Sequence, residues 1–568
     1  MLDVLIRGAD VVDGTGAPRR RADVGVAGGR VVAIGAVDDS ATTTIDAGGL
    51  VVTPGFVDLH THYDAQLLWD PFATPSPLHG VTTVIGGNCG FSIAPLGPGN
   101  AGYIQRMMAV VEGIPLAAME QGGDWDWDSF GEWLDRLDGR LGVNAGFLAG
   151  HSTIRRAVMG EAAVEGAADD TQLAAMVRLL HESIEQGALG LSSSLDEVHT
   201  DGDGHMVPSR YADLDEFVAL AGALHDHDGT TLEFIPSVGE IPADRMQLMT
   251  DMALAAGRTL NWNLLGSLSP VEIYEQQLAA SDLAAEAGAR VVALSLPDVM
   301  RLRASNMLGD LPVFKDVMAL DDAQRRAALA DPDTRRRLGE TVAKAASRGL
   351  TALGDFNLIE VAEATTPATE QYVGKTVAAV AAERGTEPVD ALIDVVLADR
   401  LPVTLVLPSL VPSYGSSDEG WVKRAEIWDD ERVVLGGSDA GAHLDLMCHA
   451  NYTTRLLGHA ARDRGLLDLE TAVHKVTDVP ARLYGLRERG RVAEGWHADL
   501  VVLDAATVDS APARARTDLP GGGERLYAEA TGIERVLVGG RTVVDGGRIT
   551  GDLPGTLLRA GRDTTNAP

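Results

Sequence analysis

Two histidines spaced i, i+2 end the run Pro54-Gly55-Phe56-Val57-Asp58-Leu59-His60-Thr61-His62. An extended strand alternates its side chains with period two, so both imidazoles project from one face and can reach one metal ion. A lone cysteine follows the apolar stretch Thr82-Thr83-Val84-Ile85-Gly86-Gly87-Asn88-Cys89-Gly90, where glycines on either side let the backbone approach a neighbour closely. As a thiolate Cys89 is a good zinc ligand, and as a thiol it is a small buried hydrophobe; taken alone, the residue leaves both readings open. The third element is Val433-Val434-Leu435-Gly436-Gly437-Ser438-Asp439. An aspartate ending an apolar strand is costly unless it is paired, hydrogen-bonded or ligating. Asp439 could contact a metal and take a proton from its water, or simply cap the next helix.

Further polar residues end or interrupt apolar runs. His443 lies four residues beyond Asp439, placed to line a pocket or to face solvent. His151, after Val143–Gly150, is a candidate to orient a carbonyl or oxyanion, or a structural hydrogen-bonding residue. Glu233 sits within Thr230-Thr231-Leu232-Glu233-Phe234-Ile235, and Asn261 and Asn263 flank Trp262 on the next run. A carboxylate and two amides at one barrel mouth make a polar floor, although Glu233 could equally pair with an arginine in the wall. No G-x-x-x-x-G-K-[ST] loop or strand–G-x-G-x-x-G–helix unit is present, and Ser192-Ser193-Ser194 lacks the glycine frame of a nucleophile elbow.

The elements that must position these residues are eight strand-like runs: Phe56–His60, Val81–Gly86, Val143–Gly150, Ala188–Ser193, Thr230–Ile235, Thr259–Leu265, Arg290–Leu296 and Val433–Gly437. Helical patterns separate several of them. Asp213 to Glu216 reads as a capping box before the stripe Phe217, Leu220, Ala221 and Leu224, and Ser269-Pro270 as an N-cap and N1 pair. Repeated strand–helix units predict a parallel sheet, and eight of them an α/β fold of the (β/α)8, TIM-like barrel kind with its chemistry at the strand ends. Both chain ends are β-rich and too short for separate cores, which predicts one small β-sandwich formed by both ends. The expected division is residues 1–53 and 481–551 as the two parts of the sandwich, 54–480 as the metal-dependent barrel, and 552–568 as a frayed tail. An irregular, partly helical insertion covers about 298–430. Its Arg325-Arg326 and Arg335-Arg336-Arg337 read as a solvated face, and Val403–Leu407 as a strand of either insertion or barrel.

The chain of 568 residues has 45% hydrophobic and 23% charged residues, ordinary for a well-packed globular protein. A formal charge of -35 argues against nucleic-acid or anionic-membrane partners. With only Cys89 and Cys448 there is no disulfide framework, and a reducing, cytoplasmic setting is expected. Met1–Arg7 lacks the pattern of a secretory leader, and no uncharged apolar run reaches the roughly 18 residues of a membrane span.

The chain resembles the amidohydrolase superfamily, and within it the N-acyl-D-amino-acid deacylases, or D-aminoacylase-like proteins. The resemblance rests on Pro54–His62, Gly87–Gly90, Gly150-His151-Ser152-Thr153-Ile154-Arg155, Gly187–Ser192, Tyr372-Val373-Gly374-Lys375-Thr376, Ser438-Asp439-Ala440, Pro480–Leu486 and Arg489–Leu500. It implies a barrel with a β-sandwich from both termini and a zinc site of one or two ions held by His60, His62, Cys89 and Asp439. Asp439 is then also the general base for a metal-activated water attacking an amide carbonyl, and His151 a catalytic partner. The substrate implied is a small-molecule amide, with a homo-oligomer left open. No lysine follows the fourth strand, so a carbamylated-lysine bridge is not expected. The deacylases usually carry one histidine on the fifth strand and one on the sixth, with a substrate-binding lysine after the latter. Here Glu233 stands in the fifth, as a substitute metal ligand, and Asn261 and Asn263 in the sixth. Asn261, Asn263, His443 and Lys375 are then candidates for substrate contact. The alternatives are a cyclic amidase or deaminase of the same superfamily, and a non-catalytic relative with an incomplete metal site.

Overall fold

The computed structural model describes all residues except 238, 266–270, 304–311, 319, 347–354, 358, 362–363, 365, 400–404, 408–417 and 568. Eight parallel strands form its centre. In order they are Phe56–Asp58, Val81–Gly86, Asn144–Phe147 running on as Ala149–Gly150, Gly190–Ser194, Thr231–Ile235, Leu260–Trp262, Val291–Ser295 and Val433–Leu435. Each pairs with the next, the third through both of its pieces. The ring closes between the last strand and the first just beyond their ends, where Thr61 bridges Ala440 in parallel. There Asp439 N donates to His60 O at 3.1 Å and His62 N to Ala440 O at 2.8 Å. The eight runs read from the sequence are these eight strands, and the seam that closes the barrel carries His60, His62 and Asp439.

The strands are buried on both faces, as a parallel sheet wrapped in helices requires. Helix Leu214–Ala223 presents Phe217, Leu220 and Ala221 to this core. Its first turn differs from the capping-box expectation. The Asp213 side chain makes no cap bond, because Glu216 turns inward to His151 Nε2 at 2.7 Å and to Arg155 Nη1. A buried arginine needs that carboxylate more than an exposed helix end does. The Ser269-Pro270 pair lies outside the described residues.

Strands from both ends of the chain join side by side in one nine-stranded sheet, the C-terminal strands forming one half and the N-terminal strands the other. Leu500–Leu503 lies antiparallel to Val51–Pro54, which continues into Leu2–Val11, Arg20–Ala27 and Arg30–Gly35. Val4, Ile6, Val24, Val52, Leu500, Val502 and Leu537 form its separate core. The tail is not frayed. Leu557 and Leu558 are buried, Leu558 N donates to Ala145 O at 2.8 Å and Thr565 N to Gly485 O at 2.8 Å. Apolar burial and backbone bonding fasten it along the barrel. In the insertion, Leu405–Leu407 pairs antiparallel with Leu302–Arg303 and Glu360–Val361, which assigns it there and not to the barrel; Val403 and Thr404 lie outside the described residues. Arg335 pairs with Asp390 and Asp394, and Arg336 with Asp333 and Glu340, so this basic run is met by acids. Among the described residues no helix is long and apolar enough to cross a membrane.

Candidate metal centre

At the closing seam the first strand delivers His60 and His62 into the barrel mouth, both buried, with ring centroids 5.3 Å apart. The turn after the second strand brings Cys89 against them. Ser192, from the fourth strand, holds this turn through bonds to Gly87 O at 2.5 Å and from Gly90 N at 2.9 Å. Gly87 cannot be replaced without a shift, since a Cβ there would lie 2.1 Å from Leu148 O. Cys89, Asp439 and His443 all adopt left-handed backbone, with φ of 60°, 51° and 47°. Such conformations are uncommon for non-glycine residues and are held in place by surrounding structure, often at functional sites.

Both imidazoles face Cys89 and Asp439 through Nε2. His60 Nε2 is 3.2 Å from Cys89 Sγ and 3.2 Å from Asp439 Oδ1. His62 Nε2 is 3.7 Å from each. Tetrahedral zinc, with bonds of about 2.0–2.3 Å, sets nitrogen–oxygen and nitrogen–sulfur edges of roughly 3.4–3.6 Å. Among the described residues His60, His62 and Cys89 form a group whose ligand atoms lie within 4.8 Å of one another. The other ring nitrogens face carboxylates: His62 Nδ1 lies 3.4 Å from Glu112 Oε1, and His60 Nδ1 3.9 Å from Glu233 Oε1. Neither Nδ1 has a hydrogen-bond partner, nor does Glu233 Oε1. Each imidazole therefore turns Nε2 to the shared point and Nδ1 to an acid, an arrangement that orients metal-ligating histidines.

The electrostatics also call for a cation. Asp58, Asp64, Glu112 and Glu233 are buried around Cys89 and Asp439. Burial pushes Asp58 up to about 7, Asp64 to about 6 and Glu233 to about 8, and raises Glu112. It drives the Cys89 thiol well above its ordinary value, with Glu233 and the other acids adding to it. For His62 burial opposes the charge, but Glu112 and Asp439 outweigh it and raise the imidazole to about 9. For Asp439 burial is likewise overcome, by hydrogen bonds from both histidines that hold it well below the usual carboxylate range. Acids and a thiol crowded around two imidazoles suit a divalent metal, which stabilises the deprotonated forms.

The remaining sequence candidates separate. Glu233 Oε2 accepts from Cys89 N at 2.8 Å, so this side chain braces the cysteine turn while standing behind His60. Asn263 Nδ2 is 3.4 Å from His60 Nε2 and lines the cavity above the donors. Asn261 instead donates to Leu232 O at 2.9 Å. His443 lines the same cavity, and its backbone N donates to Glu112 O. His151 is buried between Ser193 Oγ at 2.8 Å and Glu216 at 2.7 Å, and does not line that cavity. Lys375 pairs with Glu383 at 2.9 Å and does not line it either. Sequence reasoning passed over Glu112 and His199, both cavity-lining. Glu112 carries a weak signal, as the one acid in the otherwise apolar Met107-Met108-Ala109-Val110-Val111-Glu112-Gly113-Ile114. His199 carries none.

Residues 43–544 match the profile described as the amidohydrolase family. A D-aminoacylase of Alcaligenes xylosoxydans xylosoxydans is 31% identical over 564 residues, 98% of this chain and 97% of that one. The N-acyl-D-glutamate deacylase of Bordetella bronchiseptica was solved with zinc and a phosphonate mimic of the tetrahedral intermediate. It is similar at a TM-score of 0.61 and 25% identity, covering 98% of this chain and 100% of that one. A D-aminoacylase structure described by its binuclear metal center has a TM-score of 0.63 and 26% identity, with coverage of 98% and 100%.

Proposed function

The chain belongs to the amidohydrolase family, and from that premise we propose that it hydrolyses an N-acyl amide C–N bond at the cavity above His60, His62 and Cys89. It is a metal-dependent amidohydrolase and its metal is zinc, with His60, His62, Cys89 and Asp439 as the residues that would hold it. The observation that supports this reading is that two Nε2 atoms each lie 3.2–3.7 Å from both the Cys89 sulfur and an Asp439 carboxylate oxygen, on the floor of an open cavity. When bound, zinc supplies a Lewis acid and lowers the pKa of water toward neutrality.

The chain's own residues do the rest. Asp439 is the only one of the four donors with appreciable side-chain exposure, 18% against 0% and 1% for the two histidines. Its backbone is fixed by the bond to His60 O, and Ala440 N is held by Ser438 Oγ at 3.0 Å. The carboxylate thus meets both the donors and the cavity. Asp439 takes a proton from the attacking water and returns it to the leaving nitrogen. Glu112 and Glu233 stand on the Nδ1 side of the two imidazoles, leaving Nε2 forward. Asn263 and His443 stand where a substrate's amide group would be oriented.

The test is amine release from a panel of N-acyl amides by zinc-loaded protein. Turnover should vanish on chelation, return with zinc, and be lost together with bound zinc in His60→Ala. Stoichiometric zinc in both His60→Ala and Asp439→Ala would refute the ligand set. Stoichiometric zinc in the unaltered protein without hydrolysis of any amide would refute the reaction.

A further inference from the structure

His199 lines the cavity above the proposed metal centre together with His62, Cys89 and Asp439, and the proton transfers described above leave it unused. The fourth strand accounts for its position. Along Gly190–Ser194 successive side chains point to opposite faces, so Ser192 and Ser194 share one face and Ser193 takes the other. Ser192 uses its face to hold the cysteine turn, through Gly87 O and Gly90 N. Ser194 lies on that same face, and its hydroxyl meets His199 Nδ1 at 2.9 Å. Ser193, on the far side, bonds His151, which does not line the cavity. Phe91 packs edge-on against the His199 ring with centroids 5.0 Å apart. The imidazole is thus held both by the strand that braces Cys89 and by the residues that follow Cys89.

The contacts of Ser194 set which ring nitrogen carries the hydrogen. Ser194 is fully buried, and its oxygen accepts from Asp196 N at 3.2 Å. A buried hydroxyl has to donate as well, and among the described residues His199 Nδ1 is the acceptor within its reach. Burial lowers His199 to about 4, so near neutral pH the ring holds a single hydrogen. With Nδ1 accepting from Ser194, that hydrogen sits on Nε2, the nitrogen left to the cavity. A neutral imidazole of this tautomer donates a hydrogen bond and keeps its proton, which separates its task from that of Asp439.

Resting on the amide-hydrolase reading above, we infer that His199 is a further catalytic residue whose Nε2–H donates to the oxygen of the scissile carbonyl, with Ser194 as the positioning residue that sets its tautomer. That oxygen gains negative charge as water adds to the carbonyl carbon. A fixed N–H beside it therefore binds the transition state more strongly than the resting amide. No bond to His199 forms or breaks, and the proton stays on Nε2.

The experiment uses zinc-loaded full-length protein, the best N-acyl amide of the panel, and the methylphosphonyl counterpart of that amide as a mimic of the tetrahedral state. Two amide side chains separate the two ring nitrogens. Glutamine places its NH2 near the position of Nε2, and asparagine places its NH2 near that of Nδ1. His199→Asn should lower kcat about 100–1000-fold, the usual loss for one such donor, while His199→Gln should stay within about tenfold of the unaltered protein. Ser194→Ala should fall between the two. Bound zinc should be unchanged in all three, KM should move far less than kcat, and affinity for the phosphonate should fall in step with kcat/KM. Equal kcat in the Gln and Asn variants, a loss confined to KM, or zinc lost together with activity would overturn the inference while leaving amide hydrolysis intact. Stoichiometric zinc in the unaltered protein with no amide hydrolysed overturns the reaction itself, and the assignment of His199 with it.

Discussion

Replacing Glu112 by glutamine keeps the shape of the side chain and removes one charge from behind His62. Glu112 Oε1 lies 3.4 Å from His62 Nδ1, with both residues buried. At that separation a full charge pair interacts by roughly 5 kcal/mol at an effective dielectric of about 20. The amide retains a dipole and the metal shares its charge with other ligands, so the expected net loss is smaller. Outer carboxylates of this kind are typically worth 10–100-fold in metal affinity, about 1.4–2.8 kcal/mol. A competing effect sets the conditions of the assay. Glu112 and Asp439 push His62 up to about 9, so below that pH zinc must displace a proton, and removing Glu112 makes that displacement easier. The loss is therefore greatest above the shifted value and narrows toward neutral pH. Chelator-buffered zinc titrations of both proteins at several pH values from about 7 to 9.5 measure it directly. An affinity within twofold of the unaltered protein at the alkaline end would refute the orienting role of Glu112. A gap that widens toward neutral pH would refute the proton-competition argument.

His79 offers a pH test away from the metal. It is buried with Nδ1 on Thr454 Oγ1 at 2.8 Å and Nε2 donating to Ala528 O at 3.1 Å, and burial lowers it from 6.5 to about 4. The unfolded chain takes up this proton first as pH falls, so stability drops between about 6.5 and 4, by about 3 kcal/mol in total. Denaturant curves of His79→Gln should lose that part of the acid slope; an identical slope would mean the neutral imidazole is not what the fold requires. Glu233→Gln should weaken the hold on Cys89 N and lower zinc affinity roughly tenfold with only a small change in melting temperature, and a change in stability alone would reduce Glu233 to a wall residue. Deleting residues 1–50 removes strands paired with Val51–Pro54 and exposes the core around Val52 and Leu500, so the product should be insoluble; a monodisperse, folded protein would contradict the shared sheet.

The barrel strands were legible because each is an apolar run long enough to cross the core, with a polar or small residue where it meets the mouth. Local signals misled where a side chain had a distant partner. Glu216 has the spacing of a capping residue, yet Arg155 and His151 claim it from the neighbouring helix His151–Met159. The tail's Gly and Pro content suggested fraying, while Leu557 and Leu558 are what bind it to the barrel wall. His60, His62, Cys89 and Asp439 stood out because ligand types at strand ends are rare and costly. Glu112 did not, since it approaches from a helix end within a long connection, where neither period two nor a strand terminus marks it. His151 had the right position in sequence, but its side chain is saturated on both nitrogens by Ser193 and Glu216.

The residues at the fifth and sixth strands show how a polar floor can be kept while its composition changes. Glu233 spends one oxygen on Cys89 N and turns the other toward His60 Nδ1, so it ties the cysteine and the histidine into one unit from behind. Asn263 brings its amide to the Nε2 side of the same ring. A second ion on that side would need donors that face away from the first, yet Glu233 Oε1 and the orphaned Asn263 Oδ1 flank His60 and not an independent group of ligands. The single cluster found among the described residues, His60, His62 and Cys89, lies instead toward Asp439. On the proposed reading, a zinc ion held on the Asp439 side would have Glu112 and Glu233 standing behind its two imidazoles. It leaves Asp439 as the exposed carboxylate best placed to handle the proton of hydrolysis.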